Sequence, residues 1–268
     1  MTELEKKLTI KERINLFEKQ GRFNEEVVEN PPSSELAPDK IDYLNKKFIS
    51  KINTKIANFL AVSYFDKQIK KGVFTIKEIR GLDNVEKVKS GAIITCNHFS
   101  IYDHYAVYKA INKRIKGNLY KVIREGNYTA FKGLFGYLFR HCNTLPLSTN
   151  IATMKKFILA TKTLLSNGNK ILLFPEQTMW PDYKKPRPLE NGSFNLSVNN
   201  NVPIIPCFIC TEDDSKNGKL YTINFSKPLY PDCALSKKEN EKRLKEENYR
   251  IWKEIYEDFY KIPLSYGE

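Results

Sequence analysis

The fold is decided by a stretch in which an apolar run passes into polar residues, Ala92-Ile93-Ile94-Thr95-Cys96-Asn97-His98-Phe99-Ser100-Ile101-Tyr102-Asp103. The apolar run predicts a buried strand, and the pattern from Tyr102 onward predicts a helix. His98 and Asp103 then lie at the strand end, where the carboxylate can orient one ring nitrogen and leave the other free to take a proton. The stretch contains no third catalytic group, so the nucleophile is expected to be a hydroxyl or amine of the substrate.

The same residues also fit a helix capping box. In Ser100-x-x-Asp103 the serine caps the first helical turn, and the carboxylate lies near the positive end of the helix for stability alone. At this point the catalytic and the capping interpretations both remain open.

Strand-like and helix-like segments alternate around this stretch. The predicted strands are 73–80, 92–96, 119–124, 144–147, 170–174, 203–210 and 220–225. The predicted helices are 102–112, 129–140 (an apolar, aromatic helix or lid), 151–166, 193–199 and 237–260. This alternation predicts an α/β fold, a mostly parallel mixed sheet flanked by helices, with sites at the carboxyl ends of the strands.

The N-terminal part divides into two segments ahead of the main domain at 73–268. Residues 1–40 form an extension, with a short charged helix over 1–21 and a Pro-containing linker over 22–39. Residues 41–72 form a basic amphipathic helical segment. Such a helix can lie in a membrane interface, or it can pack on the domain core with its lysines in water.

Composition limits the partners. The chain has 268 residues, 41% of them hydrophobic, and a formal net charge of +13. That charge favours an anionic partner: nucleic acid, an acidic membrane or an acidic carrier protein. No window has the roughly eighteen apolar residues of a membrane-spanning helix. Without an apolar secretory signal and with an odd number of cysteines, a cytoplasmic location is expected.

One cysteine pair has a spacing found in metal sites. Cys207 and Cys210 fall within a single predicted strand, where residues three apart point to opposite faces. Structural burial is therefore expected for both thiols, and no metal site is predicted.

Further stretches have the order and spacing of a known family. They are Phe174-Pro175-Glu176-Gln177-Thr178, Lys185-Pro186-Arg187-Pro188 and Val202-Pro203-Ile204-Ile205-Pro206. Together with Asn97-His98-x4-Asp103 they resemble the lysophospholipid acyltransferase family, typified by 1-acylglycerol-3-phosphate acyltransferase. The resemblance covers residues 73–230 approximately, within the predicted acyltransferase domain at 73–268.

The resemblance implies an activity. A fatty acyl group would pass from a thioester, on acyl carrier protein or coenzyme A as co-substrate, to the hydroxyl of a lysolipid, first choice 1-acylglycerol 3-phosphate. His98 would be the general base and Asp103 its partner, with Gln177 and Thr178 around the acceptor. Glu176 would contact the acceptor hydroxyl or position the loop, and a buried structural carboxylate is the alternative. No permanently bound cofactor is implied, and the enzyme would sit peripherally on the cytoplasmic, anionic inner face of a membrane.

The chain departs from the family where relatives carry arginines suited to binding phosphate. The family has four sequence blocks, and the third, Phe-Pro-Glu-Gly-Thr-Arg, corresponds to residues 174–179 here, with Gln177 and Met179 in place of its Gly and Arg. The second block ends in Asp-Arg in the family, and its Arg is replaced here around Leu147 and Ser148. Replacement charge is expected from the following basic residues: Lys121, Arg124, Lys184, Lys185 and Arg187. A different lysolipid or a glycosylated acceptor is therefore an alternative.

Three further expectations concern the surroundings of the site and the competing functions. Oxyanion donors are expected among backbone N–H groups near Pro203 to Ile205, and Trp180 is expected as an apolar wall or membrane-facing rim. Two rival functions are a basic nucleic-acid-binding protein and a non-catalytic, membrane-associated relative. Nucleic acid is not expected as a partner, because the basic residues are dispersed and no recognition motif is present.

Overall fold

The chain folds around a seven-stranded sheet. The computed structural model describes residues 2–215 and 218–267. The strand order is β1-β7-β6-β2-β5-β3-β4, and every pair is parallel except β6 with β7. The strands are β1 (Phe74–Arg80), β2 (Ala92–Thr95), β3 (Leu119–Arg124), β4 (Thr144–Leu147), β5 (Lys170–Leu173), β6 (Ile204–Asp213) and β7 (Lys219–Phe225). The predicted α/β fold with a mostly parallel mixed sheet is confirmed.

Helices connect the strands and cover both faces. They are α1 (Glu3–Lys6), α2 (Ile10–Lys19), α3 (Phe48–Lys70), α4 (Leu82–Glu86), α5 (Asp103–Ile111), α6 (Glu125–Thr129), α7 (Gly133–His141), α8 (Ile151–Ser166), α9 (Gly192–Asn200) and α10 (Lys237–Tyr260), with a 3₁₀ turn at Pro38–Lys40. The parallel strands place the loops that follow β2, β3, β4 and β5 at one edge of the sheet.

Two predicted helices have different limits in the structure. The segment from Ile41 was predicted to be helical throughout, but α3 begins only at Phe48. Before it, the Asp42 carboxylate accepts hydrogen bonds from the backbone N–H groups of Lys46 and Lys47, a local arrangement that competes with helix formation. The predicted lid helix at 129–140 is divided between two helices: Thr129 ends α6, and Gly133, with a positive φ of 61°, begins α7.

The sheet separates two hydrophobic cores. Ile94 and Cys207 face the core under α3 and α5, whereas Ile93 and Cys210 face the core under α8 and α10. Fully burying an isoleucine side chain stabilises the fold by about 1.5–3 kcal/mol. The two cysteines are buried free thiols on opposite faces, as their spacing on one strand predicted.

The N-terminal extension packs on the main domain. Phe17 of α2 and Val27 are buried against Trp180 in a third, smaller core. Residues 22–36 contain no helix or strand, as expected for a linker, but Val27 and Leu36 are buried. We call residues 22–36 the arm, because they run along the edge of the sheet where the loops after β3, β4 and β5 meet.

Candidate active site

His98 and Asp103 come together just beyond the carboxyl end of β2. The His98 Nδ1 atom lies 3.0 Å from Asp103 Oδ2. Asp103 is completely buried, whereas the His98 side chain is 22% exposed. Among the described residues, the His98 ring has no hydrogen-bond partner other than Asp103. With Nδ1–H donating to the carboxylate, Nε2 is left as an acceptor that can take a proton from a ligand.

The Asp103 carboxylate orients the imidazole and organises the turn before α5 with the same oxygen. Its Oδ2 also accepts hydrogen bonds from the backbone N–H groups of Phe99 and Ser100, both at 2.9 Å. Burial raises the pKa of Asp103, and the hydrogen bonds from His98 and the two N–H groups oppose that effect. The Ser100 hydroxyl accepts from Tyr102 N–H, so only the carboxylate half of the predicted capping box forms. Asp103 therefore has both roles: its carboxylate orients His98 and also accepts a hydrogen bond at the start of the helix.

Two neighbours fix the position of His98. The Phe174 ring, at the end of β5, stacks on the imidazole with centroids 4.1 Å apart and planes inclined by 20°. On the other side, the Asn97 amide donates to the Ile209 carbonyl at 3.0 Å and accepts from the Ile209 N–H at 2.8 Å. The end of β2 is therefore attached both to β5 and to β6.

Glu176 is buried and bonded entirely within the protein. Its Oε2 accepts from His98 N–H and from Arg187 Nη2, both at 2.9 Å, and its Oε1 accepts from Arg187 N–H at 2.8 Å. The guanidinium also donates to the Thr178 hydroxyl and to the Phe23 carbonyl. Arg187 was named as a substrate ligand, but the structure places its guanidinium inside the protein, where it holds the third block in shape.

The other residues named for the acceptor site are spread apart. Thr178 is buried beside Arg187, and Gln177 is exposed at the tip of the loop with a φ of 64°. The family's glycine stands where this chain has Gln177, and the positive φ explains the preference for glycine. Lys185 is paired with Glu18 of α2 at 2.6 Å. Gln177 is thus the most accessible of the three to a ligand.

Two expectations about the surroundings of the site are wrong. Pro203 to Ile205 begin β6, and Ile204 pairs with Ile93, five residues before His98 and roughly 15 Å away along the strand. The Ile204 N–H also donates to the Leu229 carbonyl, so this segment supplies no oxyanion donor. Trp180 is neither the expected apolar wall of the acceptor site nor a membrane-facing rim, since it is fully buried and its indole N–H donates to the Glu25 carbonyl.

The arm contributes contacts that sequence reasoning missed. The Phe23 carbonyl accepts a hydrogen bond from Arg187, and the Glu25 carbonyl accepts one from Trp180. The Leu36 carbonyl accepts from the Thr153 hydroxyl at 2.7 Å. Backbone carbonyls carry no signature in a sequence, so no residue pattern could have indicated these contacts. A side-chain contact joins Glu26 to Arg124 at the end of β3.

These features define a class of site. A histidine base is held by a buried carboxylate at the carboxyl ends of parallel strands, and no serine or cysteine of the described residues is hydrogen-bonded to it. Such a site activates a nucleophile that the substrate brings, which is the chemistry of direct group transfer.

Comparison with known proteins identifies the family. The family model described as Acyltransferase matches residues 77–210, half of the chain, and includes His98, Asp103 and the whole third block. The chain belongs to the acyltransferase family. The family and the enzyme class predicted from the sequence blocks are thereby confirmed.

Two further comparisons complete the picture. One similar solved structure is that of the 1-acyl-sn-glycerophosphate (LPA) acyltransferase PlsC from Thermotoga maritima, with a TM-score of 0.49 and 18% sequence identity over 81% of each chain. No curated protein sequence matches this chain.

Proposed function

We propose that this acyltransferase moves a fatty acyl group from a thioester to the hydroxyl of a lysophospholipid, with 1-acylglycerol 3-phosphate as the first acceptor to test. The donor is acyl carrier protein or coenzyme A carrying the acyl chain, and it enters as a co-substrate. The proposal is carried by one observation: His98 is oriented by Asp103 and has no protein nucleophile bonded to it.

The geometry supports a direct transfer. His98 Nε2 accepts the proton of the acceptor hydroxyl while Asp103 stabilises the imidazolium that forms. The hydroxyl oxygen attacks the thioester carbonyl, the new C–O bond forms and the C–S bond breaks. The departing thiolate takes the proton from His98, which restores the neutral base. No acyl-enzyme intermediate is needed.

An exposed apolar surface on α3 supports peripheral membrane attachment. The helix packs on the core through Ala57, Ala61 and Phe65. Its other face exposes large apolar side chains, with Phe48 at 79% and Phe59 at 73%: the α3 surface is Phe48, Ile49, Ile52, Ile56 and Phe59. Exposed apolar clusters of this kind mark interaction surfaces.

The lysines beside the α3 surface and the lengths of the helices are compatible with peripheral attachment. Lysines 47, 51 and 55 lie beside the α3 surface, where they attract an anionic bilayer. None of the helices within residues 2–215 and 218–267 has the length and apolar character needed to cross a membrane. We propose that the enzyme acts on the cytoplasmic face of a membrane, where a lysolipid acceptor resides.

The decisive experiment is acyl transfer to a panel of lysolipids. Radiolabelled acyl carrier protein and coenzyme A thioesters are offered with each acceptor, and the diacyl product is measured for wild type and His98→Ala. We expect product with wild type and its loss with the variant. Thioester hydrolysis alone, or salt-dependent nucleic-acid binding without transfer, would contradict the proposal.

A further inference from the structure

A cavity of about 370 Å³ opens between the arm and the ends of β3 and β4. This volume is within the usual range of small-molecule sites, roughly 300–1,000 Å³. The arm supplies Asn30 and Ser33, the end of β3 supplies Arg124, and α6 supplies Asn127. Phe131 adds an apolar wall. Neither the catalytic dyad nor any residue of the third block lines this cavity.

Strand register fixes where the cavity lies relative to His98. Lys121 of β3 pairs with Leu172 of β5, whose neighbour Leu173 pairs with Thr95 of β2. Arg124 is therefore level with Asn97, two strands away. Strands are about 4.8 Å apart, so the cavity begins roughly 10 Å to the side of the base.

That separation exceeds the reach of glycerol 3-phosphate. Four covalent bonds of about 1.5 Å connect the acceptor oxygen of such a lipid to its phosphorus, and they span roughly 5 Å when extended. A group that fills the cavity while the hydroxyl is at His98 must lie beyond that position. The cavity thus suits a headgroup larger than a bare phosphate.

The charges around the cavity disfavour an additional anion. The Arg124 guanidinium is already paired with the Glu26 carboxylate and donates to the Asn30 amide oxygen. Glu125 is a second carboxylate, and the described residues give it no cationic partner within salt-bridge distance. Although burial opposes ionisation, hydrogen bonds from Ser148 and Thr149 lower the pKa of Glu125. One guanidinium thus faces two carboxylates.

The other basic residues named from the sequence do not change this balance. Lys185 and Arg187 are paired with Glu18 and Glu176. Lys184 lies over the Tyr260 ring, and Lys121 is directed to the Cys142 sulfur. Neither of these two brings an uncompensated charge into the cavity wall.

The polar groups that remain open are neutral. Among the described residues, the Ser33 hydroxyl and the Asn127 side-chain amide have no hydrogen-bond partner in the protein. Each of them can both donate and accept, which matches a ligand hydroxyl that does the same. Phe131 offers a flat apolar face for the carbon atoms of such a ligand.

We infer that the cavity binds an uncharged, hydroxyl-rich headgroup of the acceptor, with Ser33 and Asn127 as its specificity-determining residues. Two sources share this chemistry: a polyol esterified to the phosphate of a lysophospholipid, and a glycosyl group on a monoacyl lipid. The inference rests on the proposed acyl transfer and names the acceptor class within it. Binding between the arm and the main domain makes the N-terminal extension part of acceptor recognition.

The test compares acceptors that share one acyl chain. They are lysophosphatidic acid, lysophosphatidylglycerol, lysophosphatidylinositol, a monoacyl glycosylglycerol, lysophosphatidylethanolamine and lysophosphatidylcholine. We expect kcat/KM to be at least tenfold higher for one or both hydroxyl-rich types than for lysophosphatidylcholine. A preference for lysophosphatidylglycerol or lysophosphatidylinositol would identify a polyol esterified to phosphate, whereas a preference for the monoacyl glycosylglycerol would identify a glycosyl group. Preference for lysophosphatidic acid or an ammonium headgroup would overturn the inference while leaving the transfer reaction intact.

Variants connect the preference to the cavity. Asn127→Ala and Ser33→Ala should each reduce the ratio of kcat/KM between the preferred polyol and lysophosphatidylcholine about three- to tenfold, the loss of one hydrogen bond. Asn112→Ala, exposed at the end of α5 away from the site, is the matched control and should keep the ratio. Ser33 is exposed, so its variant carries the test should Asn127→Ala fail to fold. An unchanged ratio in a folded Ser33→Ala or Asn127→Ala variant refutes the assignment, whereas absence of transfer to every acceptor refutes the proposed function itself.

Discussion

The Oε2 atom of Glu176 lies 2.9 Å from the backbone nitrogen of His98. The same oxygen is 2.9 Å from Arg187 Nη2, so one buried carboxylate joins the loop that carries the base to the loop after β5. A buried ion pair of this kind adds little net stability compared with apolar packing, but its disruption is costly, because one charge remains buried without a partner. Glu176 is therefore expected to position His98 and not to bind the acceptor.

Glu176→Gln tests this role through stability. The substitution leaves the Arg187 guanidinium buried without its counter-charge, and we expect the free energy of unfolding to fall by about 3–5 kcal/mol. Urea denaturation at neutral pH measures the change. A stable variant whose only defect is a higher KM for the acceptor would show that Glu176 binds substrate.

The double variant Glu176→Gln, Arg187→Met supplies the control. Because it removes both charges, it should recover much of the lost stability even though the single variants do not. If the two single losses simply add, the charges are not coupled and the ion pair does not hold the two loops together.

Asp103→Asn should separate orientation of the base from its presence. Asparagine can still accept the N–H groups of Phe99 and Ser100, but it cannot stabilise the imidazolium of His98. We expect kcat to fall about 10²- to 10⁴-fold with little change in secondary structure. Single-turnover transfer assays and circular dichroism measure the two quantities. His141→Ala, on α7, is a histidine control that should retain activity.

Serine substitutions at Phe48 and Phe59 should weaken membrane binding. Each ring is largely exposed, so its removal leaves the core intact, while roughly tenfold in vesicle affinity is lost per residue. Cosedimentation with anionic vesicles measures this affinity. Serine at Ile151 and Leu159, which are equally exposed on α8 on the other side of the sheet, should have no effect. Equal losses at both helices would contradict attachment through the α3 surface.

Acid should release the N-terminal extension before the core unfolds. Hydrogen bonds from Arg22 and from the Thr2 backbone lower the pKa of Glu5 from 4.5 to about 2. A carboxylate whose pKa is lower in the folded than in the unfolded state stabilises the fold fully at a pH above the unfolded-state pKa. This contribution is lost as the pH falls from about 4.5 to 2. Hydrogen exchange, corrected for its intrinsic pH dependence, should show residues 2–22 losing protection in that window while β2 keeps it.

Glu18→Gln is the matched variant for this experiment. Although burial opposes ionisation, hydrogen bonds from Lys185 and the Gly267 N–H lower the pKa of Glu18. Without the carboxylate, α2 should be less protected already at neutral pH, and its protection should vary less with acid. Simultaneous loss of protection in α2 and β2 would show that the extension and the core form one cooperative unit.

The limits of α10 and α3 show which helix boundaries a local sequence pattern can predict. Helix α10 begins at a Ser236 capping box and buries every fourth residue from Asn240 to Tyr256, and prediction and structure agree at 237–260. The start of α3 could not be predicted in the same way, because the Asp42 side chain takes N–H groups that a helix would otherwise use. Periodicity measures apolar spacing and does not register a competing side-chain hydrogen bond.

The apolar side of α3 illustrates a different limit. In the sequence, Phe48, Ile52 and Phe59 recur at helical spacing, but that spacing does not tell whether their side of the helix meets the core or the surroundings. The core accepts the small side chains of Ala57 and Ala61 instead, because they allow the helix to approach closely. Which apolar face is buried depends on the shape of the opposing surface.

The sequence by itself determined the α/β fold, the enzyme family and the pair His98 and Asp103, because each depends on residues close together in the chain or on blocks in a fixed order. Only the tertiary structure decided that Arg187 is buried against Glu176, that Pro203 to Ile205 lie far from the base, and that the arm encloses a cavity beside the site. These features depend on which distant segments meet across parallel strands. Contacts between distant segments depend on burial, strand register and backbone carbonyls, none of which produces a recognisable sequence motif.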